Sequence, residues 1–386
     1  MTRRSVAIFA ACLFAGASAP GSPPAAPANM GKVMLYVGTY TSGDSKGIYR
    51  FQLDLATGAL TPAGDPTETV NPSFLAFHPS RRFLYAVNET GDAPTDPSGA
   101  VSAFAVDPAT GGLTFLNRQS SEGAAPCHIS VDKAGRHALV ANYWGGTVAV
   151  LPIAADGRLG PASAVVRHEG HGVAPEQKDP HPHSLNLDAS NRFAFVADLG
   201  LDRVVAYGFD GGKGVLARHD AGTAVLEPGA GPRHLAFHPN GRQAYVIDEL
   251  DSTITRLDYD ATGGAMKAVQ RISTLPAGYA GKNSTAEIVV HPDGKLLFGS
   301  NRGHDSIAIF TVDPATGALV AAGHQPTGGK SPRNFALDPT GAYLLAANQQ
   351  SDSIAVFRID RASGRLDPVG PAVHAPRPVC LRMMRP

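Results

Sequence analysis

No stretch of this 386-residue sequence carries the 3.6-residue apolar period of a helix once its first 30 residues are passed. There is no excess of either charge. The 33 basic residues stand against 33 acidic ones, which excludes the electrostatic footprint of a nucleic-acid or membrane-surface partner. The N-terminal apolar run SVAIFAACLFAGASA is too short to cross a bilayer, so no membrane-spanning segment is expected in the mature chain. Cysteine is scarce: Cys12, Cys127 and Cys380 are the only three. The last two fall at different phases of different repeat units, so spacing gives no disulfide. A Ser or Cys nucleophile with a neighbouring base is also missing.

What the chain has instead is repetition. One phrase of an alternating strand, a turn and a second strand reads NPSFLAFHPSRRFLYAVNE from Asn71, APCHISVDKAGRHALVANY from Ala125 and HPHSLNLDASNRFAFVADL from His181. It returns as GPRHLAFHPNGRQAYVIDE from Gly231, STAEIVVHPDGKLLFGSNR from Ser284 and SPRNFALDPTGAYLLAANQ from Ser331. An anchor recurs at Pro72, Pro126, Pro182, Pro232, Thr285, Pro332 and, in a last partial copy, Pro376. A fixed period of about 50 residues marks a propeller, solenoid or array. A second phrase follows each first one, as in SIAIFTVDPATGALVAAG from Ser306, and its Asp and Gly-containing turn between alternating runs reads as a hairpin.

Two hairpins per repeat make four antiparallel strands, which is one propeller blade. The first copy begins partway, with VMLYVGTY from Val33 matching a second strand, and its missing first strand is supplied by APRPVCLRM from Ala375. The expectation is an all-β, seven-bladed propeller whose N- and C-terminal strands share one blade, which removes an open sheet edge. Gly 43 and Pro 31 suit such a turn-dense chain, and residues 31–386 are expected to form one domain. Residues 1–30 read as a signal peptide and a Pro/Ala-rich spacer, placing the protein in the periplasm or outside the cell. Cys12 follows Phe-Ala-Ala, but the apolar run continues past it, unlike a lipoprotein cleavage box. The chain is expected to work as a monomer.

Repeat phase separates scaffold from chemistry. His78, His238 and His291 sit at the bottom-turn phase where other blades have Asp132, Asp188 and Asp338, which reads as side chains bonding a tight turn. Asn88, Asn142, Asp198, Asp248, Asn301 and Asn348 recur just before the second strand ends and read as loop-capping Asx groups rather than calcium ligands. Other positions vary by blade. After the anchor come Ser73, Cys127, His183, Arg233, Ala286, Arg333 and Arg377, then Phe74, His128, Ser184, His234, Glu287, Asn334 and Pro378. The second strand ends at Thr39, Glu89, Tyr143, Leu199, Glu249, Arg302 and Gln349. Charged groups converging on a channel mouth cost desolvation unless paired or used, so this rim is the candidate site.

HEGHGVAPEQKDPHPHS from His168, GAGPRHLAFHPNGRQAYVIDEL from Gly229, EIVVHPDGKLLFGSNR and SPRNFALDPTG resemble the seven-bladed lactonase family. That family includes propeller-type 6-phosphogluconolactonases and fungal carboxy-muconate cyclases. The resemblance spans the chain after about Met30, and its most specific stretch is GAGPRH to DEL. It implies His183, Arg233, Glu249 and Arg302 as catalytic residues, with Arg333 binding the ligand, and it points to a small-molecule lactone as partner. Their neighbours His128, His234 and Glu287 join Arg333 as substrate-binding candidates. Opening a lactone needs a base for water, a cation or donor at the oxyanion and an acid for the leaving alkoxide. His183 suits the base. Arg233 and Arg302 suit the oxyanion and a substrate carboxylate or phosphate. Glu249 is left to orient or to protonate, and no metal or cofactor is required. Cys127, on the same rim, reads as a small buried hydrophobe. Three functions stay open: a 6-phosphogluconolactonase-like hydrolase, a lactonizing cycloisomerase, and a secreted propeller that only binds. An exported chain would not meet a cytosolic phosphorylated metabolite, which leaves the lactone's phosphorylation open.

Overall fold

The computed structural model describes residues 1, 2, 31–93, 95 and 98–384; the expected signal and spacer, with Cys12, lie outside the described residues. Among those described, seven antiparallel sheets of four or five strands stand as blades around one channel. Blade 1 joins residues 32–68 to 378–384. Blades 2 to 7 follow as 75–120, 126–167, 182–225, 232–273, 284–326 and 332–374. In blade 3 the strands run outward from the channel as Pro126–Val131, His137–Asn142, Thr147–Pro152 and Ala164–Arg167. Where a blade has five strands, its outer strand is broken into two pieces that pair with the same neighbour. Two short 3₁₀ turns, Asp220–Gly222 and Gln349–Ser351, are the described helical structure. The expected propeller, with shared terminal blade, is borne out.

Burial explains the sequence pattern. The second strand of each blade packs on both faces, so Phe83–Asn88, Gln243–Asp248 and Tyr343–Asn348 are buried at every position. Outer strands such as Ala164–Arg167 alternate and carry the exposed residues. In blades 1, 2 and 5 a tyrosine of the second strand latches the blade to the outer hairpin of the next. Tyr36 Oη donates to Gly111 O (2.7 Å), Tyr85 Oη to Gly157 O (3.0 Å) and Tyr245 Oη to Gly317 O (2.8 Å). Gly157 has to be glycine: its φ is 84°, and a Cβ there would lie 2.3 Å from the Phe83 ring. Closure comes from Pro378–Met384, which lies innermost in blade 1 and pairs Met384 with Met34, Arg382 with Tyr36 and Pro378 with Thr39.

Both repeating polar sets serve the scaffold. His78, His238 and His291 each bond through Nε2 to the turn glycine carbonyl of the next blade, at Gly135, Gly294 and Gly341 (2.8–2.9 Å). Asp132, Asp188 and Asp338 instead accept backbone N–H groups inside their own turns. The Asx ring ties each second strand to the loop beside it. Asn88 Nδ2 donates to Val70 O, Asn142 Nδ2 to Ser121 O and Asn301 Nδ2 to Thr274 O, while Asp198 Oδ1 accepts from the His181 and Gly200 N–H groups. The His and Asp turns fix the lower end of the channel; at the opposite, anchor-proline end, the residues just beyond the Asx ring are not fixed by the repeat.

Candidate active site

The anchors fix which side chains meet at the upper rim. Pro182 pairs with Asp198, Pro232 with Asp248 and Pro332 with Asn348, so the next residue on each strand faces the channel mouth. In blade 1 the partner of Thr39 is Pro378, and Arg377 before it has φ 46°, like Asn71, Ala125 and Ser331 before Pro72, Pro126 and Pro332. The last anchor is therefore Pro378, not Pro376. Val379 and Cys380 occupy the places expected of Arg377 and Pro378, and Tyr40, just past the strand, takes the rim place expected of Thr39. For the C-terminal strand the cause is parity. Pro376-Arg-Pro-Val and Pro378-Val-Cys-Leu both read as proline, two residues and an apolar one, and a two-residue slip keeps the same face buried. Thr39 belongs to the Asx ring, where its Oγ1 donates to Gly47 O at 2.7 Å. That ring's missing seventh member was the signal that could have placed Tyr40.

Three of the expected catalytic residues gather around the carboxylate of the fourth. Glu249 Oε2 lies 2.9 Å from Arg233 Nε and 4.0 Å from His183 Nε2, and Glu249 Oε1 lies 3.0 Å from Arg302 Nη2. The Arg233 contact is an ion pair without the alignment of a hydrogen bond. Arg233 Nη1 donates to Ala286 O (2.7 Å) and Arg302 Nη2 to Thr285 O (2.6 Å), which seats both guanidiniums on the inner strand of blade 6. Burial would raise the Glu249 carboxyl, but Arg302, Arg233 and Arg333 outweigh it and hold it below the usual carboxylate range. Glu249 is thus ionised near neutral pH and suited to orient rather than to protonate. His183 is pressed well below 6.5 by burial, then by Arg233, His234 and Arg333, so it is a neutral imidazole. Burial, with Arg333 and Arg302 nearby, lowers Arg233 to about 10, which leaves it charged.

A second polar group faces this cluster across the channel. Arg333 Nη2 donates to Tyr40 Oη (3.0 Å), and Tyr40 Oη donates to the Glu89 carboxylate (2.9 and 3.1 Å). Among the described residues no carboxylate lies within 4.0 Å of Arg333, so its charge is not neutralised by direct pairing. A small cavity between the two groups is lined by Ser73, Glu89, Cys127, Arg233, Arg333 and Val379, among others, and a groove of about 540 Å³ opens past Arg302, Arg333, Lys282 and Gln349. Cys127 Sγ sits 3.7 Å from His183 Nδ1 and 3.3 Å from His183 O, and burial raises its thiol far above 9, which fits a packed, inert cysteine. Cys380 is likewise free and buried. Beside His183, Tyr143 stacks on His181 (ring centroids 4.4 Å), and the half-exposed Trp144 meets both edge-on.

His128, His234 and Glu287 lie one layer deeper. They are 5–7% exposed and form the floor under Arg233 with Phe74 and Asn334. His128, His234 and Glu287 also roof a cavity of about 700 Å³ at the lower mouth of the channel, whose walls include Phe77, Phe335, Arg382 and Met383. Size does not identify the site here. Below that roof the walls are mainly apolar and turn residues with Arg382, whereas two guanidiniums in direct contact with one carboxylate, beside a histidine, occur at the upper rim.

The family described as "Lactonase, 7-bladed beta-propeller" matches residues 34–383. The chain is 37% identical over 306 residues to the 6-phosphogluconolactonase of Bacillus subtilis, spanning 79% of this chain and 85% of that protein. It is 34% identical over 311 residues to the 6-phosphogluconolactonase of Formosa agariphila, spanning 78% and 86%. Among solved structures it is similar to the periplasmic gluconolactonase of Pseudomonas aeruginosa, with TM-score 0.87 and 34% identity over 92% of this chain and 99% of that one.

Proposed function

The chain belongs to the seven-bladed β-propeller lactonase family, and from that premise we propose how it works as a hydrolase that opens a sugar lactone at the upper rim. The observation that carries the reading is the convergence of His183, Arg233 and Arg302 on one carboxylate, Glu249, at a channel mouth. Neutral His183 takes a proton from water as the water oxygen attacks the lactone carbonyl. Glu249, 4.0 Å away, stabilises the imidazolium that forms. Arg233 uses two of its nitrogens on Glu249, Ala286 and His234; Nη2, without a protein partner among the described residues, is left to receive the developing oxyanion. When the tetrahedral intermediate collapses, the imidazolium returns its proton to the ring oxygen that leaves as the alcohol. Arg333, charged and without a carboxylate, holds a polar or anionic substituent in the groove toward Lys282.

A propeller that only binds would also show paired rim charges, as Glu249 does with two arginines. The experiment that separates the readings is proton release from glucono-δ-lactone and its 6-phosphate by the purified protein. Acceleration over the spontaneous rate supports hydrolysis, and binding without acceleration sinks it. The N-terminal run, with a periplasmic relative of 34% identity, supports export of a mature chain beginning between about Gly21 and Met30. An intact Met1 on protein recovered from the cell envelope would contradict that part.

A further inference from the structure

We propose that His234 and Glu287 are positioning residues for the hydrolysis, acting through the Arg233 guanidinium from beneath the site. The inference rests on the reading that Arg233 serves the lactone site. Arginine has no acceptor, so the 3.1 Å contact between Arg233 Nη1 and His234 Nε2 runs one way: the guanidinium donates. His234 Nε2 is then unprotonated, the ring proton sits on Nδ1, and Nδ1 donates to Glu287 Oε1 at 2.9 Å. The hydrogen-bond chemistry alone fixes the tautomer. Burial, set against the nearby Glu287, lowers His234 to about 4, which keeps the ring neutral over the pH range where a lactone is stable enough to assay.

Glu287 is itself held. Oε1 also accepts from Ile288 N–H (3.0 Å), and Oε2 accepts from Asn334 Nδ2. Asn334 Oδ1 in turn accepts from Leu381 N–H at 2.8 Å, on the strand that closes the ring. A belt therefore runs from Arg233 in blade 5 through Glu287 in blade 6 and Asn334 in blade 7 to blade 1. The scaffold has no need of it. At the same layer the other four blades carry Cys380, Phe74, His128 and Ser184, of which only His128 carries a basic group and none extends the belt, and an apolar floor would block the channel as well. Burying a carboxylate without a cation in direct contact is costly, so its retention calls for a role. The belt spends both Nη1 protons, one on Ala286 O and one on His234, and so fixes the guanidinium plane that presents Nη2 to the cavity.

The test is a kinetic cycle on the full mature enzyme with glucono-δ-lactone. Glu287→Gln and His234→Leu should each lower kcat about tenfold with KM within about twofold, as expected for a misplaced transition-state donor. His234→Gln, whose amide can accept from Arg233 and donate to Glu287, should recover most of the loss seen in His234→Leu. In an Arg233→Lys background, which lacks the forked guanidinium, Glu287→Gln should change kcat by less than about twofold. Losses that multiply regardless of residue 233 would make the belt merely structural. A raised KM at unchanged kcat for Glu287→Gln would make Glu287 a substrate contact. Either outcome overturns the proposal. If Glu287→Gln fails to fold, as judged by thermal melting, the two His234 variants carry the same comparison. An Arg233→Lys enzyme with undiminished kcat/KM would remove Arg233 from the lactone site and the belt's role with it.

Discussion

His183 and Glu249 differ from ordinary surface groups because of where they sit. His183 is nearly inaccessible and Glu249 is clamped by two guanidiniums, so each titrates below its usual range. A base works in its unprotonated form, and the unprotonated fraction of His183 falls only as pH drops through a value lying below 6.5. The log of kcat/KM should accordingly stay flat from pH 7.5 down to about 6.5 and fall at lower pH, after correction for spontaneous hydrolysis. An acid limb centred at or above 6.5 would assign the base elsewhere. The residue scale is also where sequence reading was most productive. His183, Arg233, Glu249 and Arg302 stand at repeat positions that no blade-wide rule explains, and the structure puts them together. What could not be read was depth. His128, His234 and Glu287 differ from rim residues by one place in a strand, yet that place turns them under the site rather than into it.

Strands explain both the closure and the misread register. The inner strand of blade 1 comes from the C-terminus, and its hydrogen bonds to Lys32–Thr39 are all that covers that edge. Deleting residues 378–386 should expose an apolar strand edge and give aggregated protein, scored by size-exclusion chromatography. A soluble, cooperatively melting monomer would contradict closure by this strand. The propeller itself was legible because each blade repeats two hairpins with an Asp- and Gly-containing turn, a signal renewed in every unit. The register of the last partial copy was not legible, because it has no second hairpin of its own. Two prolines of the same parity competed there, and only pairing with Thr39 decides for Pro378. Tyr40, the hydroxyl that links Arg333 to Glu89, was missed by a separate one-residue slip, because Thr39 stands where six other blades carry Asn or Asp.

The whole molecule sets two mouths of one channel against each other. The upper mouth gathers charge around Glu249, and the lower mouth has the larger cavity and the repeating His and Asp turns. Placing the chemistry above rather than below is the central claim, and two histidines test it as a pair. His183→Ala, in protein shown to be folded by its melting curve, should lower kcat for glucono-δ-lactone by roughly 10²–10⁴. His238→Ala removes a buried bond to Gly294 O, should cost about 1–3 kcal/mol of stability, and should leave turnover near that of the native enzyme. Full activity in folded His183→Ala, with activity lost in folded His238→Ala, would place the reaction at the lower mouth and contradict the account.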